Sequence, residues 1–240
     1  FSYRNCSFSL CNTSKYKVIY ALPGFLGLPS DWSALKKELS LTPIDPYQIA
    51  QPEEGFHKWA QEFNKILLKE PILLGYSMGA RLCMYTLLES FPKGLILISG
   101  NSGLKTPIDK KKRLSSDLIW AKRFQKESWE SLMHSWNNRS VFSEAPLIRS
   151  EKDYCRNILS STLNHWSLAH QIDFSTSLRQ APIPILWITG KLDKAYSKKP
   201  MKFSHPLSQI WVVPFSGHRV PWEQPKAFLK ILHQFLRSIE

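Results

Sequence analysis

The stretch Pro71-Ile72-Leu73-Leu74-Gly75-Tyr76-Ser77-Met78-Gly79-Ala80-Arg81 decides how the rest of the chain is read. A short apolar run leads straight into G-x-S-x-G, and a helical pattern follows through Ser90. A serine on so sharp a strand-to-helix turn needs small neighbours, because its backbone is held in a strained conformation. The same turn lifts the hydroxyl above the sheet, toward the N-terminus of the helix. An alcohol of ordinary acidity is a poor nucleophile and a poor base, so the reading demands a histidine and an orienting acid elsewhere in the chain.

Outward from that turn, five more apolar runs are continuous rather than alternating: Val18–Leu22, Leu41–Ile44, Leu95–Ser99, Ile183–Thr189 and Ile210–Val213. Continuous runs suit parallel strands buried on both faces. Helical patterns lie between them, at Trp32–Leu39 behind a Ser30-Asp31 cap, at Phe56–Leu68 and at Pro225–Ile239. The alternation predicts an α/β fold, a mostly parallel doubly wound sheet with right-handed crossovers. Lys105–Leu178 breaks the rhythm, with no β-branched run and a wealth of Trp, Ser, Lys and Arg. It reads as a helical cap, residues 105–178, inserted into a core made of residues 1–104 and 179–240.

The acid and the histidine belong after later strands, where ligands of open α/β sheets gather. Asp193 follows Ile183–Thr189 through Gly190-Lys191-Leu192, and His218 follows Ile210–Val213 through Phe215-Ser216-Gly217. The other histidines fit less well. His57 and His233 fall on helices, His134, His165 and His170 fall in the cap, and His205 precedes a proline in a loop. Ser77, His218 and Asp193 are therefore the expected catalytic set. Stabilising an oxyanion takes two backbone N–H groups. Met78, after the serine, should supply one, and Phe25, in the loop Leu22-Pro23-Gly24-Phe25-Leu26-Gly27 after the first strand, the other. Arg81 lies one helical turn beyond Ser77 on the same face, and its planar fork fits a carboxylate. A structural ion pair is the competing explanation for it.

Thirty-two Lys+Arg against 19 Asp+Glu give a formal net charge of +13, which favours anionic partners by long-range attraction. Nucleic acid, an acidic carrier protein and a small polycarboxylate all qualify. No helix-turn-helix, zinc or RNA-recognition signature is visible, so nucleic acid is not expected. The hydrophobic share of 43% is that of a globular chain. No apolar run approaches the roughly 20 residues of a membrane span, and Phe1–Leu10 does not read as a signal peptide. Cys6, Cys11, Cys83 and Cys155 form no C-x-x-C pair, so neither a zinc site nor a disulfide framework is expected, and reduced thiols in the cytoplasm are the default. Chemistry of the serine–histidine–acid kind implies no metal and no organic cofactor.

The segments Gly75-Tyr76-Ser77-Met78-Gly79-Ala80-Arg81 and Ile119-Trp120-Ala121-Lys122-Arg123-Phe124, with Arg113, Ser135-Trp136 and Val141-Phe142, resemble the 2-succinyl-6-hydroxy-2,4-cyclohexadiene-1-carboxylate synthases of menaquinone biosynthesis. The likeness runs from about Ala21 to the C-terminus, with Gly190–Asp193 and Ser216–His218 in register. It implies the α/β-hydrolase fold and a lyase that eliminates pyruvate from a cyclohexene precursor. It also implies that Ser77 takes a proton from carbon, His218 relays it and Asp193 orients His218. Arg81, Arg113 and Arg156 would bind substrate carboxylates, and Tyr76 and Trp136 would line the pocket. The chain departs from relatives at Pro23-Gly24, where they carry His-Gly, and at Asp45–Ile49. Two other readings stand beside this one: a serine carboxylesterase, acting on acyl chains of an acidic carrier protein, and a silent binding module of the same fold.

Overall fold

The computed structural model of the chain describes residues 18–139, 146–194, 196 and 205–240. The reading of Phe1–Leu10, the residues Cys6 and Cys11, and the pair Val141-Phe142 lie outside the described residues. Six strands form one sheet: β1 (Ile19–Leu22), β2 (Leu41–Pro43), β3 (Ile72–Tyr76), β4 (Gly94–Ile98), β5 (Ile185–Gly190) and β6 (Ser208–Val213). Every pairing is parallel, in the order β2-β1-β3-β4-β5-β6. This is the parallel, doubly wound sheet that the alternation of strands and helices predicts.

Each predicted strand is present, with ends moved by a residue or two. β5 starts two residues later than expected, just past Pro184, which has no N–H for the ladder. Around the sheet lie α1 (Ser33–Lys36), α2 (Gly55–Ile66), α3 (Met78–Thr86), α8 (Val220–Glu223) and α9 (Pro225–Ser238). The expected helix Trp32–Leu39 is shorter and begins earlier, as a 3-10 turn over Pro29–Trp32 that runs into α1. Pro29 suits a first helical position, where its missing N–H costs nothing. Asp31 therefore sits inside the turn instead of capping it, and its carboxylate accepts the Leu28 N–H at 3.0 Å.

The sheet's two faces follow from the strand period of two. Leu73, Leu95, Leu97, Ile185 and Trp187 face α2 and α3, packing on Phe56, Trp59, Phe63 and Leu82. Ile72, Leu74, Ile96, Ile98, Leu186 and Ile188 face the other way, onto Trp32 and Leu35 of the first helical turns and Phe228, Ile231, Leu232 and Phe235 of α9. Burial on both sides is why these strands read as unbroken apolar runs.

Between β4 and β5 the chain makes α4 (Pro107–Lys126), α5 (Trp129–Asn137), α6 (Arg156–His165) and α7 (Ser175–Gln180). Phe124, Leu132, Trp136, Leu159 and Leu163, from the first three of these, form a hydrophobic cluster of their own above the sheet. α7 behaves differently. Its Leu178 packs with Trp187 and Ile183 in the cluster under the sheet, so the expected boundary at 178 falls inside a helix that packs with the core. No helix among the described residues is long and apolar enough to cross a membrane.

The strand order sets where a ligand can sit. From β1 the chain moves outward to β2 and then returns to β3 on β1's other flank, so the loops at the carboxyl ends of β1 and β3 diverge and leave a crevice. The register pairs Leu22 with Gly75, which puts Pro23-Gly24 beside Ser77. α9 anchors the far face, with Phe235 fully buried. Phe235→Ala removes that ring and is expected to cost about 3–5 kcal/mol of folding stability, read as a lower urea midpoint with an unchanged slope. A loss below 1 kcal/mol would show that α9 is dispensable to the core.

Candidate active site

Ser77 stands between β3 and α3 with φ 53° and ψ −106°, a left-handed backbone that a non-glycine residue holds only under constraint. The constraint is visible. The Ser77 N–H donates to Ile98 O at 2.8 Å, extending the β3–β4 ladder by one step, and the Ser77 carbonyl accepts the Arg81 N–H at 3.3 Å to open the helix. The two glycines of the motif have steric reasons to be there. A Cβ on Gly75 would run into the backbone of Gly79 and Ala80, and one on Gly79 would run into the carbonyls of Leu22 and Pro23.

From this position Ser77 Oγ meets the His218 ring, with Nε2 at 2.9 Å. The other ring nitrogen, Nδ1, is 2.6 Å from Asp193 Oδ2. A carboxylate only accepts, so Nδ1 carries the proton and Nε2 presents its lone pair to the serine hydroxyl. Asp193 and His218 are almost wholly excluded from solvent. The structure thus brings Ser77, Asp193 and His218 into one hydrogen-bonded series, though they are far apart in the chain.

The loops that carry the pair are tied to each other. Lys191 N donates to Val213 O at 2.9 Å and Leu192 N to Ser216 O at 2.8 Å, while Ser99 Oγ donates to His218 O at 2.8 Å. Glu223, on α8, gathers the histidine loop from below. Its carboxylate accepts the N–H of Gly217, the N–H of Arg219 at 3.2 Å and the Ser216 hydroxyl at 3.2 Å. Tyr76 and Tyr196 flank the imidazole, with ring centroids 5.5 and 4.7 Å away. Nothing in the sequence singled out Glu223 or Tyr196, because their use depends on which loops meet.

Met78 is the first residue of α3, so its N–H has no partner within the helix. Phe25 is the second residue of a turn closed by Gly27 N donating to Gly24 O at 2.9 Å. Phe25 and Met78 both line the cavity that holds Ser77.

That cavity, about 110 Å³, lies between the sheet and the cap. Of the residues expected to bind substrate, Tyr76, Arg81, Arg113 and Trp136 line it. Arg156 does not. Its Nε donates to Glu151 at 2.6 Å and its Nη1 to the carbonyls of Phe124 and Glu127 at 3.1 and 2.6 Å. It closes the last turn of α4, where orphan carbonyls attract a cation.

A third arginine, Arg139, takes a place that the sequence reading had not assigned. It follows Trp136 by three positions, just past the end of α5, and its guanidinium lies 4.3 Å from the Trp136 ring centroid. That spacing was the available signal.

The charges do not balance. Asp117, buried on α4, accepts from Arg113 Nε and Ser167 Oγ, each at 2.7 Å. Burial works to lower the Arg113 guanidinium, but the charge of Asp117 and hydrogen bonds to Asp117 and Tyr196 carry it above its ordinary value. Arg81 has no carboxylate bonded to it, and burial outweighs the lift it receives from the charge of Asp117. Burial first, and then the charge of Arg113, push it down to about 10, so it stays charged at neutral pH. Its Nη1 donates to Trp166 O at 2.9 Å. Burial and Arg113 likewise hold Arg139 below its usual range. Among the described residues neither Arg81 nor Arg139 makes a salt bridge. A pocket so arranged gains by taking up carboxylates.

Comparison with known proteins agrees with the fold. The alpha/beta hydrolase family matches residues 9–231. A 2-succinyl-6-hydroxy-2,4-cyclohexadiene-1-carboxylate synthase from Enterobacter sp. (strain 638) is 31% identical over 198 residues, covering 76% of this chain and 74% of that protein. One of the same name from Serratia proteamaculans (strain 568) is 30% identical over 173 residues, 68% of this chain and 67% of that one. The solved structure of MenH from S. aureus superposes with a TM-score of 0.84 at 19% identity, over 95% of this chain and 96% of that chain.

An unbalanced cationic pocket makes a direct prediction. Succinate, a bare dicarboxylate, is expected to raise the thermal unfolding midpoint beyond a sodium chloride control of equal ionic strength. A concentration a hundredfold above Kd corresponds to about 2.7 kcal/mol. Arg139→Gln should shrink the shift. Equal shifts with succinate and chloride would mean that the arginines offer no dicarboxylate site.

Proposed function

The chain belongs to the alpha/beta hydrolase family, and from that premise we propose that it is a carbon–oxygen lyase. In this reading it eliminates pyruvate from 2-succinyl-5-enolpyruvyl-6-hydroxy-3-cyclohexene-1-carboxylate and leaves 2-succinyl-6-hydroxy-2,4-cyclohexadiene-1-carboxylate. The observation that carries the reading is the union of two features in one cavity. A serine whose proton is mobile opens onto the same space as three arginines, only one of which has a carboxylate partner among the described residues. The relatives named as synthases of that product support it.

Elimination needs a base for a carbon-bound proton and a way to hold the negative charge that follows. His218 Nε2 accepts the Ser77 hydroxyl proton as Ser77 Oγ takes the proton from the ring carbon, and Asp193 stabilises the imidazolium that results. The electron pair left on C2 forms the C2=C3 double bond while the existing C3=C4 pair shifts to C4=C5 and displaces the oxygen on C5. The carbon–oxygen bond to the enolpyruvyl group breaks, and the departing oxygen leaves as the enolate of pyruvate, which takes up the proton. The N–H groups of Phe25 and Met78 donate to the oxyanion that develops on the substrate. Arg81, Arg113 and Arg139 seat its carboxylates, holding the carbon acid against Oγ. Tyr76 and Trp136 supply the apolar walls. No step calls for water, and the cap's position over the cavity suits a reaction that keeps water out.

Ester hydrolysis would use the same serine, histidine and acid, so the test must separate the two. Purified protein is given the cyclohexene precursor and, separately, p-nitrophenyl esters, with pyruvate followed by a coupled reductase. Pyruvate release is expected. It should fall by about 10³-fold or more in Ser77→Ala and by about 10³–10⁴ in Asp193→Asn, which turns the imidazole to the wrong tautomer. Arg81→Met should lower kcat/KM roughly 30-fold or more, as loss of a buried charge partner does. Rapid ester turnover without pyruvate would replace the lyase with a carboxylesterase.

A further inference from the structure

The loop that carries Phe25 begins in the sheet, but its side chains and its carbonyl are held by the cap. Leu26 is buried at 1% exposure inside the cap's own cluster, among Phe124, Leu132, Trp136 and Leu163. The Phe25 ring stands edge-on to Phe124 at 5.2 Å and tilted against Trp136 at 5.1 Å. The Leu26 carbonyl accepts two hydrogen bonds, from Arg149 Nε and from the Tyr154 hydroxyl, each at 2.8 Å. Both donors lie between α5 and α6.

The backbone needs this grip. Leu26 has φ 60°, a positive value of the kind that type II turns place at their third position and that a leucine resists. Relaxation toward an ordinary φ would swing the Leu26 carbonyl away and re-aim the Phe25 peptide.

The two donors are themselves fixed. Arg149 Nη2 also donates to Asp31 Oδ2 at 2.5 Å, in an ion pair with only 12% and 14% of its side chains exposed. Trp129 Nε1 donates to the Arg149 carbonyl at 2.8 Å, and the Trp129 ring stacks on Tyr154 at 5.4 Å. Burial keeps the Tyr154 hydroxyl protonated well above its usual range, so it remains a donor.

We propose that Arg149 and Tyr154 are positioning residues, through which the cap holds the Phe25–Leu26 turn in the shape that presents the Phe25 N–H to the reacting oxygen. The oxyanion site is then complete only while the cap is seated on the loop, and lifting the cap dismantles it. This rests on the role given above to the Phe25 N–H, and it holds equally for elimination and for ester hydrolysis.

Tyr154→Phe and Arg149→Lys each remove a donor from the Leu26 carbonyl with little change in volume. Each is expected to lower kcat about tenfold, a part of the roughly 10²–10³ that follows outright removal of an oxyanion donor. KM should stay within about twofold and the pH profile should be unchanged, since the serine, histidine and acid are untouched. Backbone amide exchange at Phe25–Gly27 should quicken in both variants. A drop in thermal midpoint with kcat and loop exchange unaltered would reduce the contacts to ordinary cap packing and overturn the proposal. If the wild type releases no pyruvate, the lyase reading fails by itself, and loop exchange in the two variants still judges the clamp.

Discussion

The backbone of Ser77 is the constraint on which the rest of the site depends. Its φ of 53° persists because β3 is paired on both sides, with β1 at Leu22–Gly75 and with β4 through the Ser77 N–H and Ile98 O. A strained conformation of this kind costs on the order of 1–3 kcal/mol and survives only where its surroundings over-determine it. Here the surroundings are the most buried part of the molecule, two apolar layers clamped on a parallel sheet. The stability of the core is thus what keeps Oγ aimed at His218 rather than relaxed into the first turn of α3.

The second constraint is electrostatic. Three guanidinium groups in one partly closed cavity repel one another, and each gives up hydration. Asp117 offsets one of them, at Arg113, and is held in place by Ser167. The Trp120 and Trp136 faces offset part of another, at Arg139. Arg81 and Arg139 make no salt bridge among the described residues, and under the proposed reading the substrate's carboxylates supply the missing charge. An apolar acyl chain would bring no partner to the buried Arg81 or to the half-buried Arg139. That is the physical reason to favour a polycarboxylate over a simple ester.

Sequence order alone carried the sheet, the strand-to-helix turn and the histidine and acid loops, because each depends on residues near one another in the chain. The continuous runs at Ile72–Leu74 and Leu95–Ser99 suit strands buried on both faces, and G-x-S-x-G between such a strand and a helix points to the sharp turn that carries Ser77. What escaped depends on contacts across the fold. Arg156 looked as available as Arg139 in a cap rich in arginine. Only the meeting of its guanidinium with the end of α4 separates a helix-closing residue from a pocket residue. Glu223 gathers the loop of His218 from a short helix whose position no local pattern announces.

The deepest omission concerned ownership. By sequence, Leu22–Gly27 is a loop of the core that follows the first strand and offers the Phe25 N–H to an oxyanion. In space Leu26 is a residue of the cap cluster, and its carbonyl is shared between Arg149 and Tyr154. A division into core and insertion therefore does not divide the contacts of the site. The sheet holds the serine, the histidine and the acid and keeps them rigid. The cap supplies Arg113, Arg139 and Trp136, and with them the grip on the turn beside Gly24. Under the proposed reading the base stands on the sheet and the anion-binding elements on the inserted helices, so the charge that the base creates is stabilised only when the cap is seated.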